Sequence, residues 1–173
     1  ANSALFLSAI FAIAALASPP YYADVAAAIR DLSRSPKVDH HELFDRVVVN
    51  VGLGNTDDHL RNHGFLSDRG SWSLSPVFDV NPNPDPSRSR ATSIMGADAL
   101  PDEAEALLAL ADECGLGAER ARGRMQRVER ALAGWREAAR RYQVHEQEIA
   151  MMGEAIEPRL EAVRRAAQGR ALS

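Results

Sequence analysis

Gly54-Asn55-Thr56-Asp57-Asp58-His59-Leu60-Arg61-Asn62-His63 is the stretch on which the reading of this chain turns. No other segment crowds so many proton-transferring and metal-binding side chains together. It follows an apolar run, Leu43 to Leu53, and precedes a segment rich in strand formers that ends at Asp79. The polar stretch therefore reads as a loop held between ordered elements, where a rigid scaffold can aim catalytic groups.

Immediately upstream, Leu43, Phe44, Val47, Val48 and Val51 fit one face of a helix. The run Val47-Val48-Val49 alone would favour a strand, because β-branched side chains are stiff. Asp39 followed by Glu42 resembles a capping box, however, and predicts a helix from His40 onward. Further out, Val25, Ala28, Ile29 and Leu32 lie at helical spacing, so Tyr22 to Leu32 reads as a short amphipathic helix stopped by Ser33-Arg34-Ser35-Pro36. Ala4 to Ala17 form a 14-residue, mostly apolar run ending in Ala15-Leu16-Ala17-Ser18. That has the length of a signal-peptide core, but no basic region precedes it. It is also too short for a bilayer, which needs about 20 apolar residues, so a buried helix is the preferred reading. Position 1 is Ala rather than Met, which suggests a start inside a longer protein.

Downstream, Gly64-Phe65-Leu66 and Trp72-Ser73-Leu74 flank Ser67-Asp68-Arg69-Gly70-Ser71, the turn chemistry of a β-hairpin with Phe65, Trp72 and Phe78 in the core beneath it. The alternating prolines from Asn81 to Pro86, and Ser87 to Arg90 after them, predict an exposed irregular loop. The remainder is helical. Asp102 to Cys114 carries Ala104, Leu107, Leu108 and Ala111 on one face and stops at Gly115. Ala118 to Tyr142 reads as one helix with a buried stripe of Met125, Val128, Leu132, Trp135, Ala139 and Tyr142. A last helix, about Gln147 to Gln168, should kink or restart at Pro158. Arginines between Arg120 and Arg141 alternate with Glu119, Glu129 and Glu137, which suits a solvated face better than a nucleic-acid stripe. The expected fold class is mainly α with one small β-hairpin after the loop.

A length of 173 residues suits one domain or one lobe of something larger. With 25% charged residues and a net charge of −4, the chain has a soluble composition and no general attraction for nucleic acid or anionic membranes. Cys114 is the only cysteine, which rules out an intrachain disulfide and points to a reducing cytoplasm.

Asp57 and Asn62 are five residues apart, and Asp79 follows the hairpin. The catalytic loop of protein kinases has this layout. Phosphoryl transfer needs an oriented acceptor hydroxyl and divalent cations held by hard oxygen ligands, and a carboxylate base, an amide oxygen and a second carboxylate supply that set. The spacing is short and common. The wider wording is more specific: Phe44…Val49-Asn50-Val51…Gly54 to Phe65, then Trp72-Ser73-Leu74-Ser75-Pro76-Val77-Phe78-Asp79-Val80-Asn81-Pro82. It resembles the C-terminal domain of the HipA family of serine/threonine kinases, the toxin halves of toxin–antitoxin modules, most strongly from Leu43 to Pro82.

The resemblance implies a protein-kinase-like C-terminal lobe, a helical bundle over residues 1–173. It implies Asp57 as catalytic residue, Asn62 and Asp79 as Mg²⁺ ligands, and His59 and Arg61 beside the ATP phosphates. It further implies a HipB-like DNA-binding antitoxin, with DNA reached only through that partner. The protein substrate would be an aminoacyl-tRNA synthetase, the glutamyl enzyme for the best-known member, and no membrane is involved. Two departures stand out. Arg61 occupies a position that is often Lys, which keeps the charge but changes its geometry. The family's nucleotide-gripping N-terminal lobe has no counterpart here: Lys37 is the sole lysine, and Gly52-Leu53-Gly54 runs into the catalytic loop itself. The 173-residue chain alone is therefore expected to be inactive.

Other readings of the same residues remain open. Asp58 reads as a solvated or capping residue rather than a second ligand. His59 is either a partner of Asp57 or a structural histidine, and His40, His41 and His63 are structural or exposed. Asn55 would brace the loop through side-chain-to-backbone bonds. A metal-dependent hydrolase could instead use Asp57, Asp58, His59, His63 and Asp79, with water activated on a transition metal. A third possibility is a non-catalytic module that contacts an antitoxin or substrate.

Overall fold

In the computed structural model, which describes residues 6–7, 21–85 and 87–169, a short strand β1 (Phe6–Leu7) is followed by helices α1 (Tyr22–Leu32) and α2 (Pro36–Leu53). The hairpin β2 (Phe65–Asp68) and β3 (Ser71–Leu74) comes after the polar loop, and helices α3 (Asp102–Glu113), α4 (Ala118–Leu132), α5 (Trp135–Arg141) and α6 (Glu146–Ala167) complete the chain. Helix α2 is the hub, in contact with α1, α3, α4 and α6. Its predicted face is the core, since Leu43, Phe44, Val47, Val48 and Val51 are all fully buried.

Helix α2 begins earlier than the capping-box reading placed it. Pro36 occupies the first turn with Ser35 as N-cap, and proline's fixed φ and missing N–H suit that position. Asp39 lies inside the helix and is buried. Its carboxylate accepts hydrogen bonds from Ser33 Oγ at 2.7 Å and from the Leu74 N–H at 2.8 Å. Tertiary donors have drawn the side chain away from local capping, and they tie α2 to the hairpin.

The hairpin forms where expected. Arg69 and Gly70, both at positive φ (51° and 82°), make its two-residue turn. The sheet has three strands rather than two, because Phe6 and Leu7 pair antiparallel with Leu66 and Phe65 and cover an edge of β2. Those two residues are strand and not helix; the rest of the apolar run, residues 4–5 and 8–17, lies outside the described residues. Phe65 is buried, and Trp72 packs partly against the core. Phe78 is 39% exposed and does not belong to the core, since it lies beyond the end of β3.

The helix expected from Ala118 to Tyr142 is broken at Ala133-Gly134. Met125 and Val128 are buried and Leu132 packs partly against the core, but the stripe fades beyond the break: Trp135 is half-buried and Tyr142 is 81% exposed. Glycine is a poor helix former, and here it lets α5 turn against α6. Arg136 stacks over Trp135, 4.6 Å from the ring centre, and donates to the Ile149 carbonyl at 3.3 Å and Glu157 Oε1 at 3.0 Å. Gly153 leaves the space for it, because a Cβ there would meet Arg136 Nη2 at 2.0 Å.

Helix α6 continues through Pro158 rather than restarting there. Ala155 and Ile156 on one side of the proline and Arg159 and Leu160 on the other are buried, and α6 packs on α2 and α4. Packing of that face outweighs the one lost backbone hydrogen bond. Helix α3 ends as predicted, with Gly115 at φ 66° just past it. The arginine-rich face is solvated only in part: Arg127 and Arg140 are exposed and meet Asp45 and Glu146, whereas Arg124 is 23% exposed and drawn onto Asp45 of α2. Among the described residues no helix is long and apolar enough to cross a membrane.

Candidate functional site

The polar loop is built on the C-terminus of α2. Gly54 adopts φ 71°, its N–H donates to the Val51 carbonyl at 3.1 Å, and the Asn55 N–H donates back to the Asn50 carbonyl at 2.9 Å. This pair of bonds is a Schellman motif, which needs a residue in the left-handed region and so favours glycine. The side chains repeat the link, as Asn55 Nδ2 donates to Asn50 Oδ1 at 3.2 Å. Asn55 therefore braces the loop, as its position suggested.

A second strand of chain is laced along the first. The Asn83 N–H reaches the Gly54 carbonyl at 3.0 Å, Asn83 Nδ2 reaches Thr56 Oγ1 at 3.1 Å, and the Ala91 N–H reaches the Thr56 carbonyl at 2.8 Å. Asn55 Nδ2 also lies 3.5 Å from the Asp79 carbonyl oxygen. These bonds bring the backbone at Asp79 against the loop that carries Asp57, although more than twenty residues separate the two in sequence.

The adjacent aspartates have opposite fates. The Asp57 side chain is 58% exposed, with His59 Nε2 and Arg88 Nη2 each 3.2 Å from its Oδ1. Asp58 is buried, which overturns its reading as a solvated or capping residue. Its Oδ2 accepts from the Tyr22 hydroxyl, from Asn50 Nδ2 at 2.7 Å and from His63 Nε2 at 3.0 Å. Burial pushes the Asp58 carboxyl up, but the hydrogen bond and charge of His63, with Tyr22 and Arg90, outweigh it and hold the group below its ordinary value. Burial and the Asp58 charge together raise the Tyr22 phenol far above its usual range, so it stays a donor. Tyr22 also packs edge-on against the His63 ring. His63 and His40 are structural, as read from the sequence; His40 Nε2 lies 2.7 Å from the Ala26 carbonyl oxygen.

Asn62 ends a short 3₁₀ turn, Leu60–Asn62, whose N–H donates to the His59 carbonyl at 2.8 Å. Its side chain is buried and its Nδ2 has no hydrogen-bond partner among the described residues. Asp79 is exposed, at φ 58°, and its Oδ1 accepts from Asn81 Nδ2 at 2.7 Å. A non-glycine residue in this region carries backbone strain, which Asp tolerates better than most. Arg61 is exposed on the 3₁₀ turn. Asn62 Oδ1 and the Asp79 carboxylate are hard oxygen donors that fit Mg²⁺ in type, whereas the orphaned Asn62 Nδ2 is a hydrogen-bond donor and could not ligate a cation. Of the five residues of the hydrolase reading, Asp58 and His63 form an inward pair, Asp57 and His59 an outward pair, and Asp79 is exposed with Asn81 on its Oδ1. Among the described residues no three His, Cys, Asp or Glu side chains gather where they could hold a metal ion.

Beneath the loop lies a buried ionic chain that the sequence reading missed. Arg90, expected in an exposed loop, is only 5% exposed. Its Nη1 donates to the Asn55 carbonyl at 2.9 Å, its Nη2 to the Asn50 carbonyl at 3.4 Å, and its Nε to Glu103 Oε2 at 2.9 Å. The other oxygen of Glu103 accepts from Arg159 Nη1. One signal was available: Glu103 stands four residues before Leu107 on the apolar face of α3, and Arg159 sits beside Leu160 on that of α6.

The HipA-like C-terminal domain family matches residues 7–135 of the chain. No curated protein matches it. Among solved structures, a chain of the Shewanella oneidensis MR-1 toxin–antitoxin complex of HipA, HipB and operator DNA aligns with a TM-score of 0.57 and 14% sequence identity. The alignment covers 92% of this chain and 38% of that one. At this identity the likeness is one of fold, and the present sequence spans well under half of the neighbour's length.

Proposed function

The chain belongs to the HipA-like C-terminal domain family, and from that premise we propose that it is the C-terminal lobe of a serine/threonine kinase, the toxin of a toxin–antitoxin module. The observation that carries this reading is the splitting of the two aspartates. Asp58 is committed to the interior, while the Asp57 carboxylate is presented to solvent beside His59 and Arg88 on a loop stitched to the backbone of Asp79. That leaves one of the two adjacent carboxylates at the surface, where it is suited to accept the proton of a bound hydroxyl.

In this reading Asp57 Oδ accepts the proton of the acceptor serine or threonine, and His59 keeps the carboxylate aimed outward. Arg61 places positive charge near the transferred phosphate. Asn62 and Asp79 would hold Mg²⁺ through their side-chain oxygens. The metal, when bound, supplies charge neutralisation at the ATP phosphate oxygens. The rest of the nucleotide grip would come from a further lobe of the parent protein, so the 173-residue chain alone should not turn over ATP. A HipB-like antitoxin is the proposed partner, with operator DNA contacted through it, by analogy with the composition of the neighbouring complex.

The test is incubation of the full-length parent with γ-labelled ATP and Mg²⁺. Label on a serine or threonine, lost in Asp57→Asn, supports the kinase. Release of free phosphate that requires a transition metal supports hydrolase chemistry instead. Antitoxin binding without any nucleotide turnover would identify an interaction module.

A further inference from the structure

Four charged side chains lie in the interior around the loop: Asp58, Arg90, Glu103 and Arg159. Two are acids and two are bases, and His63 is hydrogen-bonded to Asp58 beside them. Burying ions is costly, and apolar side chains of the same size would often give equal or greater stability. A buried ionic chain is therefore better understood by what it orients. Glu103 is fully buried in the first turn of α3, and each of its oxygens takes one guanidinium. Arg90 spends the rest of its donors on the carbonyls of Asn50 and Asn55, the two residues whose backbone bond closes the end of α2. Arg159, arriving from α6, lies against Gly54 so closely that a Cβ there would be 3.0 Å from its Cδ and Nε.

We propose that Arg90 is a positioning residue for Asp57, and that Glu103 and Arg159 hold it in place, so that α6 is a working part of the site. The inference rests on the kinase reading for the role of Asp57. The mechanical claim, that this chain of ions sets the loop, rests on contacts alone. Arg90 fixes the carbonyl of Asn55 two residues before Asp57, and Ala91, next to Arg90, fixes the carbonyl of Thr56. Without Glu103, the Arg90 guanidinium would be a buried cation pulling on backbone carbonyls with nothing to set its direction. Arg159 fixes Glu103 from the opposite side.

The test uses amide hydrogen exchange on the 173-residue chain, comparing Arg159→Met, Arg159→Lys and Glu103→Gln with Met125→Ala, a core variant in α4 matched for loss of thermal midpoint. The readout is the exchange of the Asn55, Asn83 and Ala91 amides, which donate to the carbonyls of Asn50, Gly54 and Thr56 and so tie the loop in place. Expected is acceleration of about tenfold or more in Arg159→Met and Glu103→Gln relative to the matched control, with substantial recovery in Arg159→Lys. If those three amides respond no more than in Met125→Ala, or if Lys fails to improve on Met, the positioning role is overturned. Should Glu103→Gln not fold, the Met and Lys pair at 159 still decides. The exchange readout needs no phosphoryl transfer, so it can fail while the kinase reading stands, and the kinase reading can fail while it stands.

Discussion

His63 Nε2 lies 3.0 Å from Asp58 Oδ2, and both side chains are 3% exposed. One of two adjacent aspartates is thus a structural anchor shared by α1, α2 and the loop. Asp58→Asn should cost about 3 kcal/mol, because it leaves buried donors facing an amide where a carboxylate stood. Since the folded state depresses the Asp58 carboxyl, its contribution is complete above the ordinary value of 3.8 and is lost as pH falls below it. Urea denaturation of wild type and variant should give a constant gap from neutral pH down to mildly acidic conditions, and a narrowing gap below that value. A gap independent of pH down to the lowest readable point would contradict the assignment.

Asp57 should behave in the opposite manner. Its side chain is 58% exposed and its contacts with His59 and Arg88 are surface pairs. Asp57→Asn should change stability by no more than about 0.5 kcal/mol. Phosphoryl transfer by the parent protein should fall by about a hundredfold or more. Thermal melts and labelled-ATP assays on the same preparations separate the two effects.

Gly54→Ala combines two penalties, a side chain at φ 71° and a Cβ 3.0 Å from Arg159. The expected loss is about 1 to 3 kcal/mol. Adding Arg159→Ala to Gly54→Ala should cost less than the sum of the single changes, because the Cδ and Nε that crowd the new Cβ are then absent. A double-mutant cycle in denaturant reads this directly.

Cys114 is 1% exposed, and burial, with a smaller push from Glu113, raises its thiol to about 12. At pH 8 a maleimide or disulfide reagent should leave the folded chain unmodified. Labelling should appear only along the unfolding transition. Fast labelling under native conditions would mean that the end of α3 opens locally.

The hub helix and the hairpin were legible because each depends on local pattern. The five apolar residues of α2 and the Arg69-Gly70 turn stand where spacing put them. The loop was legible as a cluster, and Asn55 as its brace. What could not be read locally was direction. Asp57 and Asp58 are chemically identical neighbours, and only Tyr22, Asn50 and His63, distant by up to 36 residues, decide which one turns inward. Arg90 was hidden in the same way, because its partners come from α2, the loop and α3. At Gly134 and Pro158 local propensity and tertiary packing competed, and each side won once. The glycine redirected a helix that periodicity would have continued, while burial carried α6 past a proline expected to break it.

The salt bridge from α6 to Glu103 also bears on where this domain stops. Similarity to the family ends at residue 135, whereas Arg159 and the apolar face of Ile149, Ile156 and Val163 lie beyond it and are buried. A fragment trimmed to the matching segment would strip the cover from the central helix and leave Glu103 with one counter-ion instead of two. For expression or domain transplantation, the unit to carry is therefore set by packing, and it reaches at least to the end of α6.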